Sequence, residues 1–499
     1  MKKVTIILIF LALCSKFLGL LRDIIMANFY GTSIVTDAYV IATTITTVVM
    51  GFIGAAISTT FIPTVTRISN DSNQYEVHKF VSNLINVLLF IGFVIIIIVI
   101  GNTEKIVALF ASGFKEDSFK ITVDFTKITI FSILFLMLVS IYKPYIQIYG
   151  KVWIVGLIGF PLNIILILSV TISYYFDNIY FLAYGIVLAY IGQAIILLPF
   201  VKKGNFKYIG YFNLNDPTLK KILLLTLPVI LGVSVNQINT IVSRTLASQV
   251  TEGAVSAIDY ASKVNGLIEG IFVTSLITAL FPRMVKSANQ NNFEKLKNEI
   301  SLSIYYLSFI LIPITLFCFT FSSEIITFLF GRGSFDNESI EMTSGILRYF
   351  SIGIIVFGIR TILYNAFYSI NNTKTPMINS SFSMIINIFM SLILVRFLGL
   401  NGLAIATSLS AIFCTILLYF NLQKSIGILH FDFRSYIRVV IVALTSLIIT
   451  YLVYNLTGLD TKSWALIIIG ILYLLIYILL SVSLKIKGTE QILNIFKRK

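Results

Sequence analysis

Apolar runs long enough to contribute to bilayer crossings recur along nearly the whole chain, and no other feature restricts its folding as tightly. Ile91 to Ile100, Ile222 to Val235 and Ala465 to Leu480 belong to such runs. A helix needs about 20 mainly apolar residues to span the hydrocarbon core. Only 12% of the 499 residues are charged, against about 25% in a soluble domain. Most of the surface therefore cannot face water. Within a bilayer every backbone N–H and C=O must be paired internally, which leaves helices or a closed barrel. A barrel needs alternating apolar and polar residues in segments of about ten, and the sequence lacks that alternation. It predicts an all-α polytopic membrane protein of about 14 transmembrane helices.

Basic residues then orient the spans. With the N-terminus in the cytoplasm, Arg67, Lys202, Lys203, Lys207, Arg283, Lys286, Lys295, Lys297, Lys374, Arg434 and the tail Lys497, Arg498, Lys499 share that side. About 24 of the 37 basic residues fall there and about 8 opposite. An even number of spans places both termini in the cytoplasm. The expected location is a membrane that borders the cytoplasm, crossed many times. The net charge of +15 is spread over short loops and forms no single basic face, so nucleic acid is not an expected partner. Lys2, Lys3 and the run up to Cys14 imitate a lipoprotein signal, but Leu13 precedes the cysteine and the helical pattern continues past it. A retained first span is expected. Cys14, Cys318 and Cys414 read as buried apolar thiols, and the two histidines, His78 and His430, build no metal site.

The two halves of the chain resemble each other. Gly51, Thr59, Pro63, Arg67 and Asn70 stand at one constant offset from Gly270, Thr278, Pro282, Lys286 and Asn289. Arg22 and Gly31 match Arg244 and Gly253, and Asn163 matches Asn387. A repeat of six spans keeps its orientation, so two parallel lobes are expected, a transporter architecture with its site between them. The expected domains are an N-lobe at 1–205, a C-lobe at 206–423, and a C-terminal pair of spans with a basic tail at 424–499.

Five basic residues sit within spans: Lys16, Arg22, Arg244, Lys263 and Arg360. Each costs at least about 2.5 kcal/mol if it faces lipid at a helix centre. They must therefore face protein or a wet cavity. Lys16 lies about 18 Å along its helix from Val4, near mid-bilayer. Asp259 and Lys263 are spaced to neutralise each other, as are Asp23 and Arg22. Arg244 and Arg360 lie nearer span ends, where snorkelling is an alternative to an interior role. The interior acids are Asp23, Asp259 and Glu269. A mild positive excess suits an anionic substrate, and a diphosphate fits ammonium and guanidinium donors.

Ser15-Lys16-Phe17-Leu18-Gly19-Leu20-Leu21-Arg22-Asp23, then Tyr30-Gly31 and Thr36-Asp37-Ala38-Tyr39, resembles the opening of the MurJ/MviN lipid II flippases. Leu231 to Ile238 resembles their seventh span, and Phe330 to Phe335 and Thr373 to Pro376 two later loops. The likeness covers nearly the whole chain. It implies membership of the multidrug/oligosaccharidyl-lipid/polysaccharide exporter superfamily, with two six-helix lobes and two further C-terminal helices. It implies a substrate, the undecaprenyl-diphosphate-linked disaccharide pentapeptide, moved outward by alternating access. It also implies that Lys16, Arg22 and Lys263 bind substrate, with Asp23, Asp37 and Asp259 lining or gating the cavity.

There are departures from the family pattern. Met50 and Gly54 stand where many members carry arginine and glutamate. The resemblance implies a sodium site, but its carboxylate positions are Ser243 and Ser391 here, with Asn387 and Thr407 retained. Sodium coupling is therefore weakly supported by the sequence, and the membrane potential is the other expected driving force. No cofactor is expected. The expected partners are the polyprenyl-linked glycan and membrane lipids, and the expected state is a monomer. The alternative reading is a flippase for an O-antigen, capsule or teichoic precursor. A cation antiporter wants an acidic cavity, and a membrane enzyme wants paired acid and base groups at a water interface; neither pattern stands out.

Overall fold

The structure is a computed structural model and describes residues 2–71, 73–457 and 465–486. The tail cations Lys497, Arg498 and Lys499 lie outside the described residues. All regular elements described are helical, as the backbone-pairing argument requires. Packing divides the chain into two compact units. One runs up to Ser256 and includes Gly333–Phe335; the other holds Ala257–Arg332 and the residues from Asp336 onward.

The first unit begins with α1 (Lys2–Tyr30), α2 (Ile34–Asp71), α3 (Gln74–Gly101), α4 (Thr103–Phe110) and α5 (Glu116–Thr129). It continues with α6 (Ser132–Ile148), α7 (Gly159–Tyr175), α8 (Tyr180–Lys203) and α9 (Pro217–Ser248). The second unit takes most of α10 (Ala254–Ile268), then α11 (Thr274–Asn289), α12 (Phe293–Thr320) and α13 (Ser322–Phe330). After these come α14 (Asn337–Ser369), α15 (Lys374–Ile426), α16 (Phe433–Thr457) and α17 (Ala465–Ser483). Ten described helical segments are long and apolar enough to cross a membrane, or up to 11 when the bent pair of α5 and α6 is taken as one span. The 53 residues of α15 bend at Gly399, whose φ of 54° suits a residue without Cβ.

Helix starts follow local chemistry. Asp216 accepts the N–H groups of Thr218 (2.8 Å) and Leu219 (3.2 Å), with Pro217 at the first position of α9. Asp336 caps α14 through the Ser339 N–H (2.9 Å). Ahead of α9, the segment before Asp216 is strapped to α3: Ser82 accepts the Ile209 N–H, and Asn83 exchanges two bonds with the Asn213 backbone. In the first unit α2, α3, α6 and α8 share a core that includes Phe61, Val81, Ile133 and Leu197. Gly51 lets the side chain of Gln237 on α9 approach α2 to a distance that any Cβ would block. The repeat seen in the sequence makes α9 the start of a second copy, whereas packing seats α9 against α2.

In the second unit α12, α16 and α17 share buried Tyr305, Phe309, Val439 and Tyr477. Pro313 in α12 has no N–H, which leaves the Phe309 carbonyl without its helical donor. Tyr477 of α17 donates its hydroxyl to that carbonyl at 2.8 Å, and Tyr473 donates to the Pro313 carbonyl at 3.1 Å. The last described helix is thus keyed to the carbonyls around Pro313. Tyr477→Phe is expected to destabilise the protein by about 1 to 2 kcal/mol, read as a lower midpoint in detergent unfolding. An unchanged midpoint would remove this role.

Candidate functional site

Arg22 on α1 is held from two directions. Its Nε and Nη2 donate to Asp23 Oδ1 at 3.0 and 2.8 Å, and its Nη1 donates to Asn163 Oδ1 on α7 at 3.2 Å. The Asn163 amide donates to the Ser15 and Gly159 carbonyls, tying α1 to α7. The expected Arg22–Asp23 pairing is therefore present. Asn163, which the sequence marked only as a repeat match, is the second brace. Lys16 lies about 9 Å back along α1. It is exposed and has no ion pair among the described residues.

In the second unit Lys263 pairs with Asp259 at 2.7 Å, one turn apart on α10. Its ammonium also lies 5.7 Å from the centre of the Tyr260 ring. The spacing argument anticipated this pair. A Cβ at Gly266 would meet nothing within 4 Å, so the backbone there is open to approach.

Asp37, in the first turn of α2, is 1% exposed. Its two carboxylate oxygens accept the backbone N–H groups of Gly253 and Ser256, each at 2.8 Å. It thus caps the start of α10, where unpaired N–H groups favour an anion. Gly253 needs its missing side chain twice over: its φ is +79°, and a Cβ would strike the Thr32 carbonyl. Arg244 donates to the Val255 carbonyl at 2.9 Å, and its charge acts on Asp37. Arg244 is therefore committed to a contact within the protein. The spacing from Arg22 through Gly31 to Asp37 equals that from Arg244 through Gly253 to Asp259. Asp37 and Asp259 are thus repeat mates with different duties, one capping a helix and the other pairing with a lysine.

Asn387 and Thr407 do come together. The Asn387 amide nitrogen donates to Thr407 Oγ1 at 3.3 Å and to Ser410 Oγ at 3.0 Å. Both hydroxyls spend their own protons on backbone carbonyls, those of Leu403 and Thr407. Ser391 donates weakly to Asn387 Oδ1 at 3.5 Å. The NH2 group therefore takes one acceptor position on each hydroxyl, and the groups described there include no carboxylate.

Sequence reasoning missed one charge relation. Arg360 on α14 is the charged neighbour acting on Glu269. Its guanidinium lies 4.6 Å from the centre of the Phe357 ring and 5.8 Å from that of Tyr364. Position along the helix left snorkelling and an interior role both open, because the sequence alone does not bring α14 beside Glu269.

Intramembrane cations braced by acids and amides, on long helices, define a multi-pass membrane transporter. The fold agrees. An inward-facing multidrug resistance MATE family transporter of the MOP superfamily superposes with a TM-score of 0.70 at 15% identity, covering 83% of this chain and 94% of that one. A structure of lipid II flippase MurJ in an inward closed conformation superposes with a TM-score of 0.82 at 25% identity, covering 95% and 98%. Among curated relatives, a probable lipid II flippase MurJ of Vibrio cholerae is 27% identical over 502 residues, 95% of each chain. One from Buchnera aphidicola subsp. Baizongia pistaciae is 29% identical, covering 82% of this chain and 81% of its own. The family model for lipid II flippase MurJ matches residues 26–486. The chain belongs to the lipid II flippase MurJ family.

Proposed function

We propose that this protein moves lipid II, an undecaprenyl-diphosphate-linked peptidoglycan precursor, from the inner to the outer leaflet of the bacterial cytoplasmic membrane. The observation that carries the reading is the family match across nearly the whole chain, joined to cations retained inside membrane helices. In this account Lys16, Arg22 and Lys263 grip the diphosphate. Asp23 and Asn163 fix the Arg22 guanidinium before substrate arrives, so less rotamer freedom is lost on binding. Asp259 orients the Lys263 ammonium. The prenyl tail stays in lipid throughout. Asp37, by capping α10, holds one side of the pathway shut, and its release accompanies opening.

The membrane potential supplies about 2.3 kcal/mol per charge per 100 mV. Inside negative, it favours outward movement of the anion and return of the empty cationic site. The charge asymmetry of the loops supports cytoplasmic termini. The protein works as a monomeric carrier without catalysis and without nucleic acid. The test is rescue of a strain depleted of its lipid II flippase, paired with reconstitution of labelled lipid II. Growth and time-dependent loss of one-sided accessibility are expected. Failure of both, with the protein present in the membrane, would reject the reading.

A further inference from the structure

We propose that Glu269 is a proton-carrying carboxylate of the transport cycle, set opposite the fixed cation Arg360; this rests on the transport reading above. Glu269 opens a five-residue π-helical turn, Glu269–Val273, between α10 and α11. That turn interrupts a membrane-length helical stretch, Ala254–Asn289. Such turns inside helices concentrate at functional sites. A carboxylate at this depth is costly unless it is neutralised or paired, and acids so placed mark proton or ion pathways.

The surroundings leave Glu269 uncommitted. Asp23, Asp37 and Asp259 each have close partners. Glu269 has no hydrogen bond or ion pair among the described residues, and Arg360 Nε is buried without a partner. The elements packed on the π turn are α11, α12 and α14. From α14 comes Arg360, the one charge found to act on Glu269. The charges of α12 (Glu294, Lys295, Lys297 and Glu299) lie in its first two turns, with Tyr305, Tyr306 and Cys318 further along. Those of α11 are Arg283 and Lys286, in its second half. On α10, Lys263 and Asp259 neutralise each other.

A proton suits this place as the exchanged ion, because a lone carboxylate can carry it with no further ligands. A carboxylate oxygen of Glu269 takes a proton from water on the outer side, forming an O–H bond and losing its charge. It returns the proton to water on the inner side. Each cycle then moves one lipid II outward and one proton inward.

The full-length protein in lipid II proteoliposomes, in sodium-free buffer with voltage clamped by potassium and valinomycin, tests this. One proton per cycle predicts about a tenfold shift in the leaflet ratio of lipid II per unit of imposed pH difference. Glu269→Gln should lose that shift and Glu269→Asp should keep it. Without lipid II, acid-minus-neutral infrared spectra should show a protonated-carboxyl band that Glu269→Gln removes. A wild-type ratio indifferent to the pH gradient, or a Glu269→Gln variant that still follows it, overturns the proposal. If the wild type moves no lipid II at all, the flippase reading fails instead. The infrared band then decides separately: its presence supports the proton site and its absence overturns it.

Discussion

Asp37→Ala is expected to free the start of α10 from α2. The carboxylate is buried and accepts two backbone N–H groups at 2.8 Å, with the Arg244 charge close by. Removing one member of a buried charged network costs about 3 to 5 kcal/mol. If that energy holds one conformation, the balance moves more than a hundredfold toward the open one. Ala254 is fully buried beside this contact. A cysteine placed there should react slowly with an impermeant thiol reagent in the parent and much faster in Asp37→Ala. Asp37→Asn should fall between, because the amide oxygen still accepts an N–H but carries no charge. Equal labelling in all three would mean that Asp37 does not latch this region.

Lys16→Ala and Lys263→Ala are each expected to abolish rescue of a flippase-depleted strain while membrane expression persists. A hydrogen bond to a charged group contributes about 1.5 to 3 kcal/mol, so each loss should weaken lipid II binding by about 10- to 150-fold. The two variants should differ in stability. Lys16 has no ion pair among the described residues, so its loss strands nothing. Lys263→Ala leaves Asp259 without the ammonium 2.7 Å away. Lys263→Gln and Lys16→Arg separate charge from shape: the first should fail and the second should function. Normal growth of both alanine variants would exclude these lysines from the substrate site.

Much of this was legible before folding. Scarcity of charge and long apolar runs imposed a helical membrane protein, because lipid offers backbone groups no partners. The i,i+4 spacing of Asp259 and Lys263 announced their pair, and the adjacency of Arg22 and Asp23 announced another. Such local relations depend on helix geometry alone. The repeat was equally visible, since it is a property of the string.

Contacts between distant helices were not. Asn163 braces Arg22 across 141 positions, and Asp37 reaches Ser256 across 219. Tyr477 satisfies a carbonyl that Pro313 orphaned 168 residues earlier. Glu269 and Arg360 became neighbours only when α14 packed on the π turn. Sequence thus determined which residues are too costly to leave facing lipid. Tertiary structure decided which of them gain a partner from another helix, because such a bond requires two groups within about 3 Å, and only packing brings separate helices that close.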